Sequence, residues 1–495
     1  MMPSRRVPAE ATLAACLLSL AGCTTLTPEA QTAALIAHAE TAMGSAALKT
    51  LTVTGRGSGA SVGQAYAPGL AWPGLQLTAL SRSMNFETAS FREEFIRSRN
   101  EPTGGGAVPL MGSGDARGVV LAREGYAWDV TGTALVSAPA ALPARVHDLW
   151  LSTPQGAIKA AARTGARAGV RRDFLRRWDT LSFDMLGQYS ATLVLEDTGF
   201  ISRIESSVPH AVLGTMPVVT QFIDYRSHGG VMMPSRIVQD QGGFAALDLK
   251  VTDAAANEPV EITIPDNVRA ATETVSVEKV ADGVWFLAGG THHSVAIELA
   301  TQIVLVELPQ HAGRARAVLD AANKLVDGKK ATTVINTHHH FDSAGGLRMA
   351  AAEGATIFTS ALAKPYFEAA FAQLQMGAAD PLFASGRKPA FTAVETKTLL
   401  NDANRPVEIH ELQGSLHARG LLVVWLPREQ LLIEADAYTP GLPDAPMPEM
   451  QNANHLNLVQ NLDRLGLTPR LILPLQGRVV PAADLYLQVG RKPPP

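Results

Sequence analysis

Cysteine is nearly absent from this sequence. Its 495 residues include only two cysteines, Cys16 and Cys23, and both lie close to the N-terminus. The chain beyond Cys23 therefore contains no disulfide bond. Packing and hydrogen bonding alone must stabilise its folded state.

An excess of positive charge and long apolar runs are also missing. The chain has 42 Lys and Arg residues against 46 Asp and Glu residues, a formal net charge of −4. Because nucleic acids bind to basic surfaces, we expect no nucleic-acid partner. No apolar run reaches the ~20 residues of a transmembrane helix. The length, with 46% hydrophobic and 18% charged residues, predicts a globular protein of two or more domains.

The N-terminus carries a targeting pattern. Arginines precede an apolar stretch at residues 11–20, and the sequence Leu-Ala-Gly-Cys then ends at Cys23. This arrangement resembles a bacterial lipoprotein signal, which implies that residues 1–22 are a signal peptide and that Cys23 is lipidated. Cys16 fits the same pattern, but the apolar stretch before it is too short. A plain secretory signal and an ordinary N-terminal helix are the alternatives.

The lipoprotein resemblance also implies a location. We expect a protein of the bacterial cell envelope that is anchored to the membrane by lipid and faces the periplasm. Thr24 stands where an aspartate retains such proteins in the inner membrane, so we expect the outer membrane. Residues 23–46 are predicted to be a lipid-anchored tether with one helix, which has Thr27 as N-cap, Pro28 in its first position and Gly44 as its stop.

Residues 47–270 have the pattern of an antiparallel β-rich domain. Turn residues separate short alternating or β-branched runs that predict strands, among them residues 51–54, 191–195, 218–225 and 261–264. A helical segment is predicted at residues 157–167. The runs at residues 48–55 and 230–237 resemble the curved half-barrel of lipoprotein-carrier-like periplasmic domains.

A histidine-rich segment lies further along the chain, where strands and helices alternate. The predicted elements around it are strands at residues 302–306 and 331–335 and helices at residues 312–326 and 346–353. His338 and His340 are separated by one residue, and Asp342 lies two residues further on. All three side chains can face one point if the chain leaves a strand and turns there. Imidazole and carboxylate are ligands that zinc prefers, so we favour a metal site over a fortuitous polar turn.

Two later segments complete a specific order of motifs. His417 lies in a Gly-flanked turn before an apolar strand, and Asp436 ends a second apolar run. The order His-x-His-x-Asp, then Gly-x-x-His, then strand and Asp resembles the metallo-β-lactamase superfamily. The resemblance implies a four-layer αββα sandwich over residues 271–495, with metal ions at one edge of its sheets. With the preceding β-rich domain, the expected fold class of the chain is α+β.

The sequence departs from the superfamily at one of its metal positions. The resemblance gives one position an intact set of imidazole ligands, namely His338, His340 and His417. At the other position, Ser343 and Gln476 stand where the superfamily has histidines, which leaves Asp342 there and Asp436 between the two positions. Hydroxyl and amide groups are weak zinc ligands. We therefore expect one zinc ion and a degenerate second site.

Two further features lie outside these motifs. His292 and His293 are in a loop which, in the superfamily, reaches over the metal cleft, so they are candidates for substrate binding or for a replacement ligand. A polar hairpin tip is the alternative for this loop. Residues 59–63 fit the Gly-x-Ser-x-Gly pattern of a serine-hydrolase nucleophile elbow. Because no helix pattern follows them, we predict a β-turn instead.

These residues predict a zinc-dependent hydrolase acting on a small-molecule substrate. A three-histidine zinc site lowers the pKa of bound water to ~7, and hydroxide would then attack an ester, amide, lactam or phosphoester bond. Asp342 is the expected catalytic base. Asp436 would bond to a ligand imidazole, join the zinc or bridge to a weak second ion. The alternative is a non-catalytic lipoprotein that binds a ligand or partner through a degenerate metallohydrolase domain.

The lipoprotein interpretation predicts the behaviour of Cys23→Ser. This change removes the sulfur that carries the lipid, so the variant should move from the membrane to the soluble fraction. Cell fractionation measures this, with Cys16→Ser as the matched control that should remain in the membrane. A Cys23→Ser variant that still sediments with membranes would show that the interpretation is wrong.

Overall fold

The structure, a computed structural model, describes residues 26–99, 115–173, 175–373, 380–400, 402, 405–442 and 451–493. The predicted signal peptide and Cys23 lie outside these residues. The helices are α1 (Pro28–Met43), α2 (Leu142–Leu151), α3 (Pro154–Arg163), α4 (Asp266–Arg269), α5 (Ala312–Ala322), α6 (Phe341–Ala344), α7 (Leu347–Glu353), α8 (Lys364–Ala372), α9 (Pro381–Ser385), α10 (Ala453–Leu465) and α11 (Ala482–Gln488). Within the described ranges, no helix is both long and apolar enough to cross a membrane.

The strands form three sheets. The first sheet contains β1 (Thr50–Ala60), β2 (Gly74–Asn85), β3 (Ser90–Arg99), β4 (Ala116–Arg123), β5 (Tyr126–Thr131), β6 (Ala134–Ser137), β7 (Arg167–Arg172), β8 (Arg177–Met185), β9 (Tyr189–Leu195), β10 (Ile201–His210), β11 (Gly214–His228), β12 (Val231–Gln241) and β13 (Phe244–Ala256). The second contains β14 (Ser276–Ala281), β15 (Val284–Ala288), β16 (Ser294–Glu298), β17 (Ile303–Val306), β18 (Ala331–Ile335), β19 (Thr356–Ser360) and β20 (Ala390–Val394). The third contains β21 (Lys397–Leu400), β22 (Val407–Glu411), β23 (Leu422–Leu426), β24 (Leu431–Glu434), β25 (Leu471–Pro474) and β26 (Val480–Pro481).

The first sheet consists of two antiparallel meanders, β1 to β6 and β7 to β13. The antiparallel pairing of β1 with β13 joins them, so that β6 and β7 lie at opposite edges of the sheet. This confirms the predicted antiparallel β-rich region. Its resemblance to a half-barrel remains a prediction.

Helix α1 begins and ends where the sequence predicts. The Thr27 hydroxyl accepts a hydrogen bond from Ala30 N, Pro28 is in the first turn, and Gly44 ends the helix with a φ of +65°. Helices α1, α2 and α3 share one hydrophobic core with the first sheet. Met43, at the end of α1, is fully buried in that core.

The predicted strand at residues 261–264 is wrong. The structure assigns no strand there, although Ile262 and Ile264 are buried in a small cluster with Trp128. A side chain satisfies the backbone instead, since the Arg123 guanidinium donates to the Ile262 carbonyl oxygen at 2.6 Å. The alternating pattern therefore reflects burial of one side of this segment and not strand pairing.

Two helices begin or end at other residues than the sequence predicts. The helix predicted at residues 157–167 is α3, which starts earlier because the Thr153 hydroxyl caps it by accepting a hydrogen bond from Gly156 N. The helix predicted at residues 312–326 is α5, which ends at Ala322. The next residue, Asn323, accepts a hydrogen bond from Ala331 N and so holds the start of β18.

The second and third sheets share a hydrophobic cluster with each other. Val304 and Ile335 of the second sheet and Ile433 of the third are fully buried in it. Helices α5, α7 and α8 share a separate cluster with the second sheet. Helices α10 and α11 share a further cluster with the third sheet, and this cluster includes Leu458 and Leu485. The chain as a whole is a sheet-rich protein of mixed α and β structure.

The first sheet also contacts the C-terminal region directly. Val212, in the turn between β10 and β11, is fully buried in the cluster around α5, α7 and α8. Phe341, the first residue of α6, contacts the rings of Trp72 and His210, with centroid distances of 5.4 and 4.3 Å. Trp72 belongs to residues 61–73, which connect β1 to β2 and are called the β1–β2 loop below.

His210 makes this contact sensitive to acid. Its Nδ1 accepts hydrogen bonds from Val212 N and Leu213 N, both at 3.2 Å. Burial, with the nearby Arg348 charge, lowers the pKa of His210 from 6.5 to about 4. Between these pH values the unfolded chain binds more protons than the folded one. The free energy of unfolding therefore falls as the pH falls through this window.

We predict that His210→Asn weakens this acid dependence. An asparagine carbonyl oxygen can accept hydrogen bonds from the same N–H groups but does not titrate. Denaturant unfolding of the metal-free protein between pH 4 and pH 6.5 should show a shallower pH dependence in the variant, by up to about 1.4 kcal/mol per pH unit. His38→Asn changes an exposed histidine and is the control. Identical pH dependence in His210→Asn and wild type would contradict the prediction.

Candidate metal centre

The predicted histidine ligands lie on two loops that meet at one edge of the C-terminal sheets. His338 and His340 follow the end of β18, and His417 lies in the turn that precedes β23. The Leu422 N–H donates to the Thr337 carbonyl oxygen at 2.8 Å, which holds the two loops together. The motifs are thus brought together although they are far apart in the sequence.

The ring nitrogens of these histidines converge. His338 Nε2 lies 3.0 Å from His340 Nδ1 and 3.2 Å from His417 Nε2. One nitrogen from each ring lies within 4.8 Å of the others, and all three side chains are buried. The predicted three-histidine cluster is therefore present.

Burial keeps the three imidazoles neutral at neutral pH. It lowers the pKa of His417 to about 4 and that of His340 to about 3, and it holds the pKa of His338 well below its usual value. Neighbouring imidazoles act in the same direction. Lone pairs that face one another at such distances repel unless a cation lies among them. The donor set therefore fits a divalent metal ion of the kind that imidazole binds.

Asp436 adds a carboxylate to this cluster. Its Oδ2 lies 3.5 Å from His338 Nε2 and 3.7 Å from His417 Nε2. The same oxygen is buried without a hydrogen-bond partner. Burial, and then the charge of Asp342, raise the pKa of Asp436 to about 7. A buried carboxylate oxygen with no partner, next to three neutral imidazoles, is a further fit to a metal ion.

A buried chain of hydrogen bonds from Glu307 through Thr337 fixes the orientation of His338. Thr337 donates its backbone N–H to a Glu307 carboxyl oxygen at 2.6 Å, and its hydroxyl bonds to the same oxygen. The hydroxyl oxygen lies 2.9 Å from His338 Nδ1 and can accept the proton of that nitrogen. Nε2 then faces the cluster without a proton, as a metal ligand requires. Burial raises the pKa of Glu307 to about 8.

Two acidic residues of the site have unusual backbone conformations. Glu307 and Asp436 have φ values of +64° and +63°, in the left-handed region that non-glycine residues rarely adopt. Such strain is typically concentrated at functional sites, where the surrounding structure enforces it.

Asp342 lies beside the cluster but is not among its closest groups. Its carboxylate is 3.4 Å from His292 Nε2 and accepts a hydrogen bond from Gln64 Nε2 at 3.0 Å. Burial alone would raise the pKa of Asp342. The nearby His292 imidazole outweighs burial and holds the pKa of Asp342 well below its usual value. Asp342 is therefore an ionised carboxylate at neutral pH.

His292 and His293 have different surroundings. His292 points toward Asp342, whereas His293 Nδ1 accepts a hydrogen bond from Gly289 N at 3.2 Å and its ring packs on Phe286. Burial lowers the pKa of His293 to about 4. The His292 side chain therefore faces the Asp342 carboxylate, whereas the His293 side chain bonds to backbone groups.

The two residues that replace histidines lie near Asp342 and Asp436. Ser343 is buried in α6, and its N–H donates to Asp342 Oδ1 at 3.1 Å. The Gln476 side chain hydrogen-bonds to Asp436 and partly offsets the increase in the pKa of that carboxyl group. In the described residues, no group of three or more possible ligands is found besides the three-histidine cluster.

Sequence reasoning missed several residues of the site. Glu307 gave no signal because a single acid at the end of a strand is not a motif. Gln64 and Ala65, from the β1–β2 loop, contact Asp342 and His340. The only sequence signal near them is the Gly-x-Ser-x-Gly pattern, which predicts a β-turn. The structure agrees with that turn, since Gln64 N donates to the Ser61 carbonyl oxygen at 3.1 Å.

Comparisons with known proteins give matches among solved structures only. No protein-family model matches the chain, and no curated protein matches it either. Rubredoxin oxygen:oxidoreductase from Desulfovibrio gigas is 18% identical, over 43% of this chain and 60% of that chain, with a TM-score of 0.35. A metallo-β-lactamase from Pontibacter korlensis is 16% identical over 44% of this chain and 98% of that chain, with a TM-score of 0.34. A metallo-β-lactamase from Hirschia baltica is 17% identical over 44% and 97%, also with a TM-score of 0.34.

These matches do not say what this chain binds or does. This chain spans less than two thirds of the first of these proteins. The three-histidine cluster is the feature that the order of motifs predicts, and its presence confirms the resemblance at the level of the site.

Proposed function

We propose that residues 271–495 are a metal-dependent hydrolase domain with the four-layer αββα arrangement of the metallo-β-lactamase superfamily. The clusters of buried side chains support this layering. One cluster lies between the second and third sheets, and each sheet shares another cluster with its own helices. The observation that carries the proposal is the convergence of three buried, neutral imidazoles.

We propose that the metal is zinc and that one ion is held per chain. Its ligands would be His338, His340 and His417, with Asp436 as the added carboxylate. Imidazole and carboxylate together favour zinc over harder ions such as magnesium. Bound there, zinc supplies Lewis acidity, which makes water a nucleophile near neutral pH.

Asp342 would act on the attacking water. As an ionised carboxylate it can accept a hydrogen bond from that water, orient it, and receive its proton as the bond to the substrate forms. The proton then passes to the leaving group. His292, 3.4 Å away, would hold this carboxylate in place. The substrate would be a small molecule with an ester, amide, lactam or phosphoester bond.

We propose that the second metal position is not used. Asp342 is engaged by His292 and Gln64, and Gln476 bonds to Asp436 through an uncharged amide. The groups that replace the histidines thus take part in hydrogen bonds and offer no imidazole. This departure also motivates the rival function, a lipoprotein that binds a ligand without catalysis.

The proposed location is the bacterial cell envelope. A lipid on Cys23 would anchor the protein in the outer membrane with its domains facing the periplasm. This part of the proposal is supported by the signal sequence alone, since those residues lie outside the described ranges.

The metal assignment predicts the zinc content of the purified protein. We expect near one zinc ion per chain, because one set of three imidazoles is complete. His417→Ala should abolish tight binding, as two remaining imidazoles hold zinc poorly. Elemental analysis of the dialysed protein measures this, and His38→Ala controls for binding by exposed histidines. A wild-type protein without zinc, or with two full equivalents, would contradict the assignment.

The proposed role of Asp342 predicts a separate effect on turnover. Asp342→Asn should retain zinc, because the histidines remain, yet lower turnover by ~100- to 10,000-fold. A panel of ester, amide, lactam and phosphoester substrates would identify the activity to be measured. Asp320→Asn, an exposed change on α5, should leave turnover unchanged. If Asp342→Asn were as active as wild type, the base would lie elsewhere. Zinc without any turnover in the wild type would favour the non-catalytic alternative.

A further inference from the structure

We propose that residues 63–66 of the β1–β2 loop are part of the metal centre, and that they position residues on both ligand-bearing loops. This inference rests on the proposed metal site and extends it to a second region of the chain. Three consecutive loop residues, Gln64, Ala65 and Tyr66, each contact one of those loops. The site would therefore be built jointly by residues 47–270 and residues 271–495.

The carbonyl oxygen of Ala65 determines which nitrogen of His340 faces the cluster. This oxygen lies 2.9 Å from His340 Nε2. Because a carbonyl oxygen can only accept a hydrogen bond, Nε2 must carry the proton. Nδ1 then has a free lone pair, and it is this nitrogen that lies 3.0 Å from His338 Nε2. The backbone of the first sheet region thus prepares His340 as a metal ligand.

The same oxygen also holds the neighbouring histidine. His339 Nε2 also lies 2.9 Å from the Ala65 carbonyl oxygen. The two lone pairs of this oxygen are therefore both used, one by His339 and the other by His340. Both His339 and His340 are buried. Displacing the loop would leave two buried N–H groups without a hydrogen-bond partner, which destabilises the displaced arrangement.

The residues on either side of Ala65 extend these contacts. Gln64 donates to the Asp342 carboxylate at 3.0 Å. On the other side, the Tyr66 carbonyl oxygen accepts a hydrogen bond from Arg419 N at 2.7 Å, and the Tyr66 hydroxyl donates to the Ser415 carbonyl oxygen at 3.1 Å. Arg419 and Ser415 flank His417, so Tyr66 holds the turn that presents this ligand.

Gly63 brings the loop close enough to make these contacts. Its φ is +83°, and a Cβ at this position would lie 2.2 Å from a ring carbon of Phe341. The Phe341 N–H also bonds to the Gly63 carbonyl oxygen, at 3.3 Å. A side chain larger than hydrogen would therefore push the loop away from the histidine segment.

The same loop contains a matched control position. Gly69 has a φ of +79°, close to that of Gly63, but no atom lies within 4 Å of the Cβ that alanine would add there. Gly63→Ala and Gly69→Ala therefore carry a similar backbone cost. They differ in whether the new methyl group displaces the loop from Phe341.

Zinc affinity of the full chain, measured by competition with a chelator, tests the proposal. We expect Gly63→Ala to weaken zinc binding by about 10- to 100-fold, the usual effect of losing a partner that orients a ligand. Gly69→Ala should bind zinc like the wild type. The visible absorption of the cobalt(II)-substituted protein should change in Gly63→Ala alone, since it reports the arrangement of the ligands.

Equal zinc affinity in the two glycine variants would overturn the proposal. A wild-type chain that binds no zinc would contradict the proposed function itself, so the two failures are distinguishable.

If Gly63→Ala does not fold, Gln64→Leu tests the contact with Asp342. This variant should keep wild-type zinc affinity but lose turnover by about 10-fold or more. Gln241→Leu removes an amide that donates to Gln239 in the first sheet, and this variant should keep both zinc affinity and turnover. Turnover in Gln64→Leu equal to that of Gln241→Leu would overturn the role of Gln64.

Discussion

Three imidazoles can direct a lone pair at one point inside a protein only if the opposite side of each ring is held by another group. The rest of this site depends on that constraint. For His338 the group is Thr337, backed by Glu307, and for His340 it is the Ala65 carbonyl oxygen. Burial removes competing water and keeps the rings neutral. The orientation of the imidazoles, their neutral state and their burial therefore depend on one another, and several parts of the fold together provide them.

The fold satisfies this requirement at a junction of three sheets. The end of β18 supplies His338 and His340, and the turn before β23 supplies His417. The first sheet contributes the β1–β2 loop and the β10–β11 turn, whose Val212 is buried among the helices of the second sheet. Because Phe341 is packed between these two connections, the histidine segment cannot shift without disturbing the contact between the N-terminal and C-terminal regions.

The sequence predicts the ligands better than the groups that orient them. His338 and His340 share a short spacing, and His417 and Asp436 follow in a recognisable order, so side-chain identity carries the information. Ala65 acts through its main chain and lies more than 270 positions away, so no pattern of side chains could identify it. His292 and His293 look alike in the sequence, and only the fold shows that His292 faces Asp342. The misassigned strand at residues 261–264 has a similar cause, because alternation reports burial and not the partner of the backbone.

The Ala65 contact has a consequence for how this protein can evolve. A carbonyl oxygen is present whatever side chain stands at that position, so the residue can drift while its role persists. What the contact does not tolerate is an inserted or deleted residue between Gly63 and Tyr66, which would move a different oxygen toward the histidines. Selection at this loop would therefore act on its length and on the glycine, and it would leave little trace in the identity of the residue that makes the contact.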